Sequence, residues 1–325
     1  MLYDIKCETF MFNLEHIKIE QYLNDNINAI NYRRTIIGDS NQILYEGVFQ
    51  TIKTAIINFF KAICNFFKKI IDKLANSEKD SSIVEKNVEV VDKKVKEEKE
   101  FQPTTVILKN FCVNKNYPSM YDLFKNPLKI FIAILYDEFD NFFEAIQKPK
   151  KDFVDYDETG LKNAGYLTNF DDQEYFDSLV QTMKENGHKT PSVDINADIS
   201  KESFINNFTK DIFVTFEYRI KSLSDLKEYI KLCKDLLKNT KNDLKSYKKN
   251  LNKDKKEIES YIDKLEKLRL DETRQMYFDD SAKILVESAG KLSNYLQMSS
   301  SLTYVFLNMN LKTINDNIIK LNKLL

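Results

Sequence analysis

Hydrophobic positions follow a helical spacing over most of the chain. Between Val48 and Leu74, polar residues recur every three or four positions and form one narrow stripe on an otherwise apolar segment. Such a segment predicts a helix that has to be buried, packed against a partner or laid into a membrane interface. We predict this amphipathic helix over 47–75 and favour burial in protein, because the polar stripe is narrow. Its apolar side includes Phe59, Phe60, Ile63, Phe66, Phe67 and Ile70.

A heptad repeat marks the C-terminal part of the chain. Apolar residues are spaced by seven at Leu223, Ile230, Leu237, Leu244, Leu251, Ile258 and Leu265. This spacing predicts a coiled-coil-like helix from about 219 to 270. Thr240 and Asp254 interrupt the intervening apolar positions, which suits an intramolecular partner better than a two-stranded zipper. Asp279, Asp280 and Ser281 offer N-cap chemistry for a second helix that folds back along the first.

The remaining segments complete a prediction of five regions. We predict a leader over 1–46, the amphipathic helix over 47–75 and a charged linker over 76–102, with a frayed helix as the alternative, since 76–100 has no aromatic residue. A compact, mainly helical domain follows over 103–200, with one β-type run at 104–108 and a helix that opens at Asn126 and Pro127. A long antiparallel helical hairpin occupies 201–325. The predicted fold class is therefore mainly α, with little or no β.

Composition narrows the function classes. The 49 basic residues nearly balance the 50 acidic ones, so no global field favours nucleic acid or an acidic membrane. With 6 glycines and 2 histidines, the chain lacks the phosphate-loop, dinucleotide, nucleophile-elbow and zinc-protease motifs. The four cysteines lie far apart, and the acidic cluster at 152–158 lacks the spacing of a calcium loop. We expect no enzyme activity, no catalytic residues, no metal site and no cofactor.

The sequence also does not show the features of a secretory signal or of a membrane-spanning segment. Asp4, Glu8 and Glu15 stand where a secretory signal would have a basic start and an apolar core. Lysines interrupt the longest apolar stretch before it reaches the length of a membrane-spanning helix. We therefore predict no signal peptide and no transmembrane segment.

Lysines are concentrated on the heptad helix. From Lys221 to Lys256 the sequence has twelve lysines against five acidic residues. Such a helix is capable of loose, salt-sensitive contact with a phosphate backbone. The simpler interpretation, a solvated face of a coiled coil, is favoured. The candidate phosphate contacts are Lys234, Lys238, Lys241, Lys245 and Lys248.

A short motif precedes the amphipathic helix. Leu44, Tyr45, Glu46 and Gly47 match the Leu-x-Glu plus small residue that prohead proteases of large tailed bacteriophages cut. The Leu/Ile-x-Glu part also occurs at Ile83, Leu226, Leu270 and Leu285, but only the first match lies in a glycine-containing junction before an apolar helix. The order of leader, motif, amphipathic helix, charged segment and helical C-terminal region resembles the proteolytically processed internal head proteins of such phages.

The resemblance implies a role and a location. The leader would direct packaging into the prohead, cleavage after Glu46 would release it, and the rest would stay in the capsid interior after assembly in the host cytoplasm. Capsid or other virion proteins, the prohead protease and packaged DNA would be the partners. Two alternatives remain at this point: a membrane-associated or membrane-active protein that uses helix 48–74, and a coiled-coil adaptor.

Overall fold

The computed structural model describes residues 42–97, 103–109, 117–147, 215–270 and 272–325. Over these ranges the elements are, in chain order, α1 (Gln42–Glu97), β1 (Thr104–Lys109), α2 (Tyr117–Gln147), β2 (Thr215–Ile220), α3 (Leu223–Lys267) and α4 (Glu272–Leu324). The fold class is mainly α, as the sequence predicted. Residues 1–41 of the leader, both histidines and the acidic cluster at 152–158 lie outside the described residues.

α1 is one helix of 56 residues, and its buried positions keep a heptad register. Their spacings alternate between four and three along Ile56, Phe60, Ile63, Phe67, Ile70, Leu74, Ser77, Ser81, Val84, Val88, Val91 and Val95. In place of the predicted linker at 76–102, the chain is therefore helical as far as Glu97. Valine and serine fill the core positions there, and most of the charged residues between them are exposed. A valine heptad supports this part of the helix in the absence of aromatic residues.

The two strands pair antiparallel, with Thr104 opposite Ile220 and Lys109 opposite Thr215. The β-type run at 104–108 is confirmed as β1. β2 was not predicted, because it lies in the region assigned to the helical hairpin. Its sequence, Thr-Phe-Glu-Tyr-Arg-Ile, alternates polar and apolar residues, which is the period-two signal of a half-buried strand.

α2 begins at Tyr117, earlier than the predicted start at Asn126 and Pro127. Pro118 lies in the first turn, where a backbone N–H has no intrahelical partner and its loss costs little. Pro127 is instead inside the helix. The prediction selected the wrong one of two prolines, because either could open a helix by its own chemistry.

The heptad helix agrees with α3. Its seven-spaced positions from Ile230 to Leu265 are at most 4% exposed. Residues 268–271 connect α3 to α4, which begins at Glu272 rather than at the predicted cap of Asp279 to Ser281. The backbone of residues 279–281 lies inside α4, so these residues do not mark its start.

The chain divides into two compact units. Of the described residues, the first unit contains 42–68, 127–147, 253–270 and 272–298. The second contains 69–97, 103–109, 117–126, 215–252 and 299–325. α1, α2, α3 and α4 each contribute to both units.

Aromatic rings form the centre of the first unit. Phe60 of α1 lies with its ring centroid 4.2 Å from that of Phe139 of α2. Phe139 also stacks on Tyr261 of α3 at 4.3 Å, with the ring planes 2° apart. Three helices therefore meet at one aromatic cluster, which we call the Phe139 cluster.

Three helices also pack together in the second unit. Polar contacts between α1 and α3 join residues whose numbers rise on one helix and fall on the other, so these helices run antiparallel. Ser77 contacts Asn308 and Asn87 contacts Asn315, which shows that α1 and α4 run parallel. α3 and α4 consequently run in opposite directions in this unit, with α1 packed on both.

Candidate functional sites

The predicted cleavage motif lies at the start of α1. The backbone of Leu44, Glu46 and Gly47 belongs to the first two turns of this helix, whereas the sequence suggested an irregular junction. The first N–H groups of a helix have no intrahelical partner, and helix ends open at little cost. Phe49, only two residues after Gly47, is already buried. The motif thus lies in the first turns of α1, two residues before a buried position.

The apolar side of the amphipathic helix is buried. Phe59, Phe60, Ile63, Phe66, Phe67 and Ile70 are each at most 4% exposed. The polar stripe, represented by Thr54, Asn58, Lys61, Asn65 and Lys68, is exposed. This arrangement agrees with the favoured burial in protein over a free membrane-binding face.

Lys53 departs from the pattern of this helix because it is buried in spite of its charge. Its Nζ donates hydrogen bonds to the carbonyl oxygens of Glu266 and Leu268, each at 3.2 Å. Arg269 donates to the same two oxygens, at 3.4 and 3.1 Å. Burial and the nearby Arg269 cation lower the pKa of Lys53. Two cationic side chains therefore donate hydrogen bonds to the backbone carbonyl groups at the C-terminal end of α3, where the helix dipole is negative.

α2 and α3 exchange two tyrosine–aspartate hydrogen bonds in the first unit. The hydroxyl of Tyr136 donates to the Asp254 carboxylate at 3.3 Å, and that of Tyr261 donates to Asp140 at 3.1 Å. Each helix supplies one tyrosine and one aspartate, so the pairs fix the alignment of α2 on α3. The polar interruption of the heptad at Asp254 is explained by this partner.

Asp254 gives the stability of the protein a pH dependence. Burial raises the pKa of Asp254 above its ordinary value, while the Tyr136 hydrogen bond opposes this shift. The ordinary pKa of an aspartate such as Asp254 is about 3.8. A carboxyl pKa that folding raises contributes stability that is fully present below this unfolded-state pKa, and the contribution is lost as pH rises through the folded-state pKa. We expect Asp254→Asn, which keeps an acceptor for Tyr136, to unfold at higher denaturant concentration than the wild type at pH 7.

The difference between Asp254→Asn and the wild type should shrink as pH is lowered towards 4, as followed by urea unfolding at several pH values. Asp140→Asn is the matched control, because Asp140 also accepts a tyrosine hydroxyl but is exposed. A difference that stays constant from pH 4 to pH 7 would contradict the assignment.

The five candidate phosphate-binding lysines of α3 fall into two groups. Lys234, Lys241 and Lys248 bind Asp92, Glu85 and Glu78 of α1, with nitrogen–oxygen distances of 2.7, 2.6 and 2.6 Å. Successive pairs are one heptad apart on both helices, and we call these three pairs the ion-pair ladder. Lys234 and Lys96 lower the pKa of Asp92 by hydrogen bonding to its carboxylate. Three of the five candidate phosphate contacts therefore have partners inside the protein.

Lys238 and Lys245 belong to the other group. Both are exposed, and the described part of the chain holds no ion pair for either. The sequence treated all five lysines alike, because it gives no direct sign of which face of α3 meets α1. The spacing of Glu78, Glu85 and Asp92 by seven residues was the one sequence signal for the paired lysines. A linker prediction for this segment gives no reason to look for such a helix face.

α4 buries an unusual number of polar residues in the second unit. They are Ser299, Ser300, Ser301, Thr303, Asn310, Thr313 and Asn317. Thr303 donates to the carbonyl of Ser299, and Tyr247 of α3 donates to that of Ser300. Asn310 is fully buried, and its amide group has no hydrogen-bond partner among the described residues. Buried polar groups of this kind cost stability, and in some coiled coils they specify register and partner number.

The cysteines that the structure describes are unreactive in their surroundings. Cys64 and Cys233 are free and buried, and burial raises the pKa of each thiol to about 12. Since the thiolate is the nucleophile, neither side chain is prepared for covalent catalysis at neutral pH. Cys7 and Cys112 lie outside the described residues. No cluster of three or more His, Cys, Asp or Glu side chains suited to a metal ion occurs in the described part of the chain.

Comparisons with protein families, curated proteins and solved structures find no match to this chain. In the described ranges, no helix combines the length and apolar character needed to cross a bilayer. Any functional conclusion therefore depends on the residues themselves and their arrangement.

Proposed function

We propose that this protein is a non-enzymatic structural protein of a tailed-phage particle, packaged inside the capsid and cut after Glu46 by the prohead protease. The observation that carries the proposal is the position of the Leu44–Gly47 motif in the first turns of α1, two residues before the buried Phe49. A cut after Glu46 removes the leader together with the first five residues of α1, and it leaves the rest of the helix from Gly47, including the buried Phe49. The order of leader, motif and amphipathic helix supports a phage origin.

The geometry of the motif is compatible with processing. A protease binds its substrate in an extended conformation, so a helical site has to unfold locally before it is cut. Opening costs least at a helix end, and Gly47 weakens the helix by about 0.5 to 1 kcal/mol relative to alanine. The competing match at Leu226–Glu228 contains a fully buried leucine, and Glu85 of the match at Ile83 is held by Lys241. These two competing matches are therefore held within packed helices.

A role by packing is supported by the use of the helical surfaces. The apolar side of α1 is covered by protein, α1 and α3 are joined by the ion-pair ladder, and the described thiols have raised pKa values. The covered apolar side and the ion-pair ladder stabilise a framework of long helices, while the raised pKa keeps the described thiols protonated at neutral pH. Insertion of helix 48–74 into a membrane would require the Phe139 cluster to come apart, which is why we favour capsid or other virion proteins as partners.

The test is the N-terminal residue of the protein recovered from mature particles. We expect intact mass and N-terminal sequencing to give a chain that starts at Gly47. Glu46→Ala should leave the uncut chain in particles, because the glutamate before the scissile bond is lost. Glu228→Ala, which alters a competing match, should be processed normally. A chain that starts at Met1 in mature particles, or normal processing of Glu46→Ala, would contradict the proposal.

A further inference from the structure

One surface of α3 has positive charge that no other part of the described chain neutralises. From 238 to 250, the exposed positions are Lys238, Asn239, Asn242, Lys245, Ser246, Lys249 and Asn250. None of these seven residues is acidic, and we call the surface the Lys238 face. Asp243 lies within the same stretch, but it is half-buried and already engaged in a contact inside the protein.

The ion-pair ladder separates this face from the other lysines. Lys241 and Lys248 are bound to Glu85 and Glu78, so their charges are already neutralised. Lys238, Lys245 and Lys249 are exposed, and they make no ion pair within the described ranges. At a rise of 1.5 Å per residue, the three ammonium groups are distributed along about 16 Å of a straight helix.

The chemistry of the face fits a phosphate backbone. Lysine, asparagine and serine side chains are the donors that proteins commonly use to bind phosphate oxygens. Lysine supplies the charge, and the amides and hydroxyl supply further hydrogen bonds beside it. A duplex segment of about 16 Å carries roughly ten phosphates, which is more than enough for three lysines. The acidic residue Asp235 precedes the face and limits it on the N-terminal side.

The residue types that are absent from the Lys238 face indicate which kind of partner it binds. It contains no aromatic residue on which the bases of a single strand would stack. It also has no exposed apolar residue of the kind that anchors a protein partner or enters a lipid surface. By contrast, the exposed residues of α1 in the same unit mix Lys79, Lys86 and Lys93 with Asp80, Glu89 and the apolar Ile83 and Val90. A purely electrostatic contact to the outside of a double helix is the best fit.

We propose that the Lys238 face binds the phosphate backbone of double-stranded DNA without sequence preference. The phosphate chemistry follows from the face itself, and its identification with packaged DNA rests on the proposed virion function. The contact has no base-reading group, so it depends on counterion release. Its affinity should therefore fall steeply with salt concentration.

The experiment uses the full chain and a fluorescent duplex of mixed sequence, with binding followed by fluorescence anisotropy from about 50 to 200 mM NaCl. In the test variant, Lys238→Gln, Lys245→Gln and Lys249→Gln are combined. The control variant combines Lys79→Gln, Lys86→Gln and Lys93→Gln, which removes the same charge from exposed positions on α1. Circular dichroism verifies that both variants stay folded, and a third variant with arginine at 238, 245 and 249 retains the charge.

We expect the test variant to bind at least about tenfold more weakly at 50 mM NaCl, with a slope of log affinity against log salt reduced by about three. The control and arginine variants should bind nearly as well as the wild type. Equal losses in the test and control variants would overturn the proposal, as would no binding by the wild type. Binding to phosphatidylserine vesicles in preference to DNA would also overturn it.

This result is independent of processing. Cleavage after Glu46 is measured by mass and DNA binding by anisotropy. A chain that binds DNA but is never cut would leave the Lys238 face intact and remove the virion proposal. A chain that is cut but does not bind DNA would support the virion proposal and overturn the proposal for the Lys238 face.

Discussion

Replacing Phe139 by alanine is expected to lower the free energy of unfolding by about 3 to 5 kcal/mol. Phe139 is fully buried, contacts Phe60 of α1 and stacks on Tyr261 of α3. Its removal leaves a cavity where three helices meet and also eliminates an aromatic stacking contact. Urea unfolding followed by circular dichroism measures the change.

The control for Phe139→Ala is a truncation of an apolar residue in solvent. Ile83 is 58% exposed, so Ile83→Ala should change the free energy of unfolding by no more than about 0.5 kcal/mol. An equal effect of the two substitutions would show that the Phe139 cluster does not hold the first unit together. Two transitions in the unfolding curve, with Phe139→Ala shifting only one, would assign the loss to that unit.

Reversing the charges of the ion-pair ladder on one helix should destabilise the second unit by about 2 to 4 kcal/mol. Glu78→Lys, Glu85→Lys and Asp92→Lys together convert three attractions into three repulsions. A single partly exposed pair contributes about 0.2 to 1 kcal/mol. Because the three pairs are about 10 Å apart along the helices, their effects should nearly add. Thermal or urea unfolding at low salt measures the loss.

Reversal on both helices should restore most of that stability. The rescuing substitutions are Lys234→Glu, Lys241→Glu and Lys248→Glu, which are expected to be destabilising on their own. A small loss remains in the sixfold variant, because the new lysine at position 92 faces Lys96, the other partner of Asp92 in the wild type. About 1 M NaCl should reduce all these differences by screening. A sixfold variant less stable than either triple variant would contradict the antiparallel pairing of α1 and α3.

The two halves of α1 differ in how well the sequence predicts them. The aromatic half of this helix was predicted because large apolar side chains dominate its pattern. The absence of aromatic residues and the many charged residues predict a linker for the second half, where valine and serine occupy the core positions. The same heptad continues through both halves. Spacing was the correct signal, while composition misled.

The roles of the candidate site residues were less predictable from the sequence than the helices were. The twelve lysines from Lys221 to Lys256 were visible in the sequence, but their two roles were not. α1 neutralises Lys234, Lys241 and Lys248 and leaves the Lys238 face exposed. The burial of Lys53 was equally hidden, since its carbonyl partners Glu266 and Leu268 are more than two hundred positions away.

The sequence by itself determined that the chain is mainly helical, which side of α3 and of the aromatic half of α1 is apolar, and where β1 lies. These properties are local, because a helical or strand period is set by neighbouring residues along the chain. Only the tertiary structure decided which helices pair, which strand joins β1, which charges are neutralised and which remain exposed. Those outcomes depend on contacts between residues far apart in sequence, and a one-dimensional pattern does not specify which distant partner completes each contact.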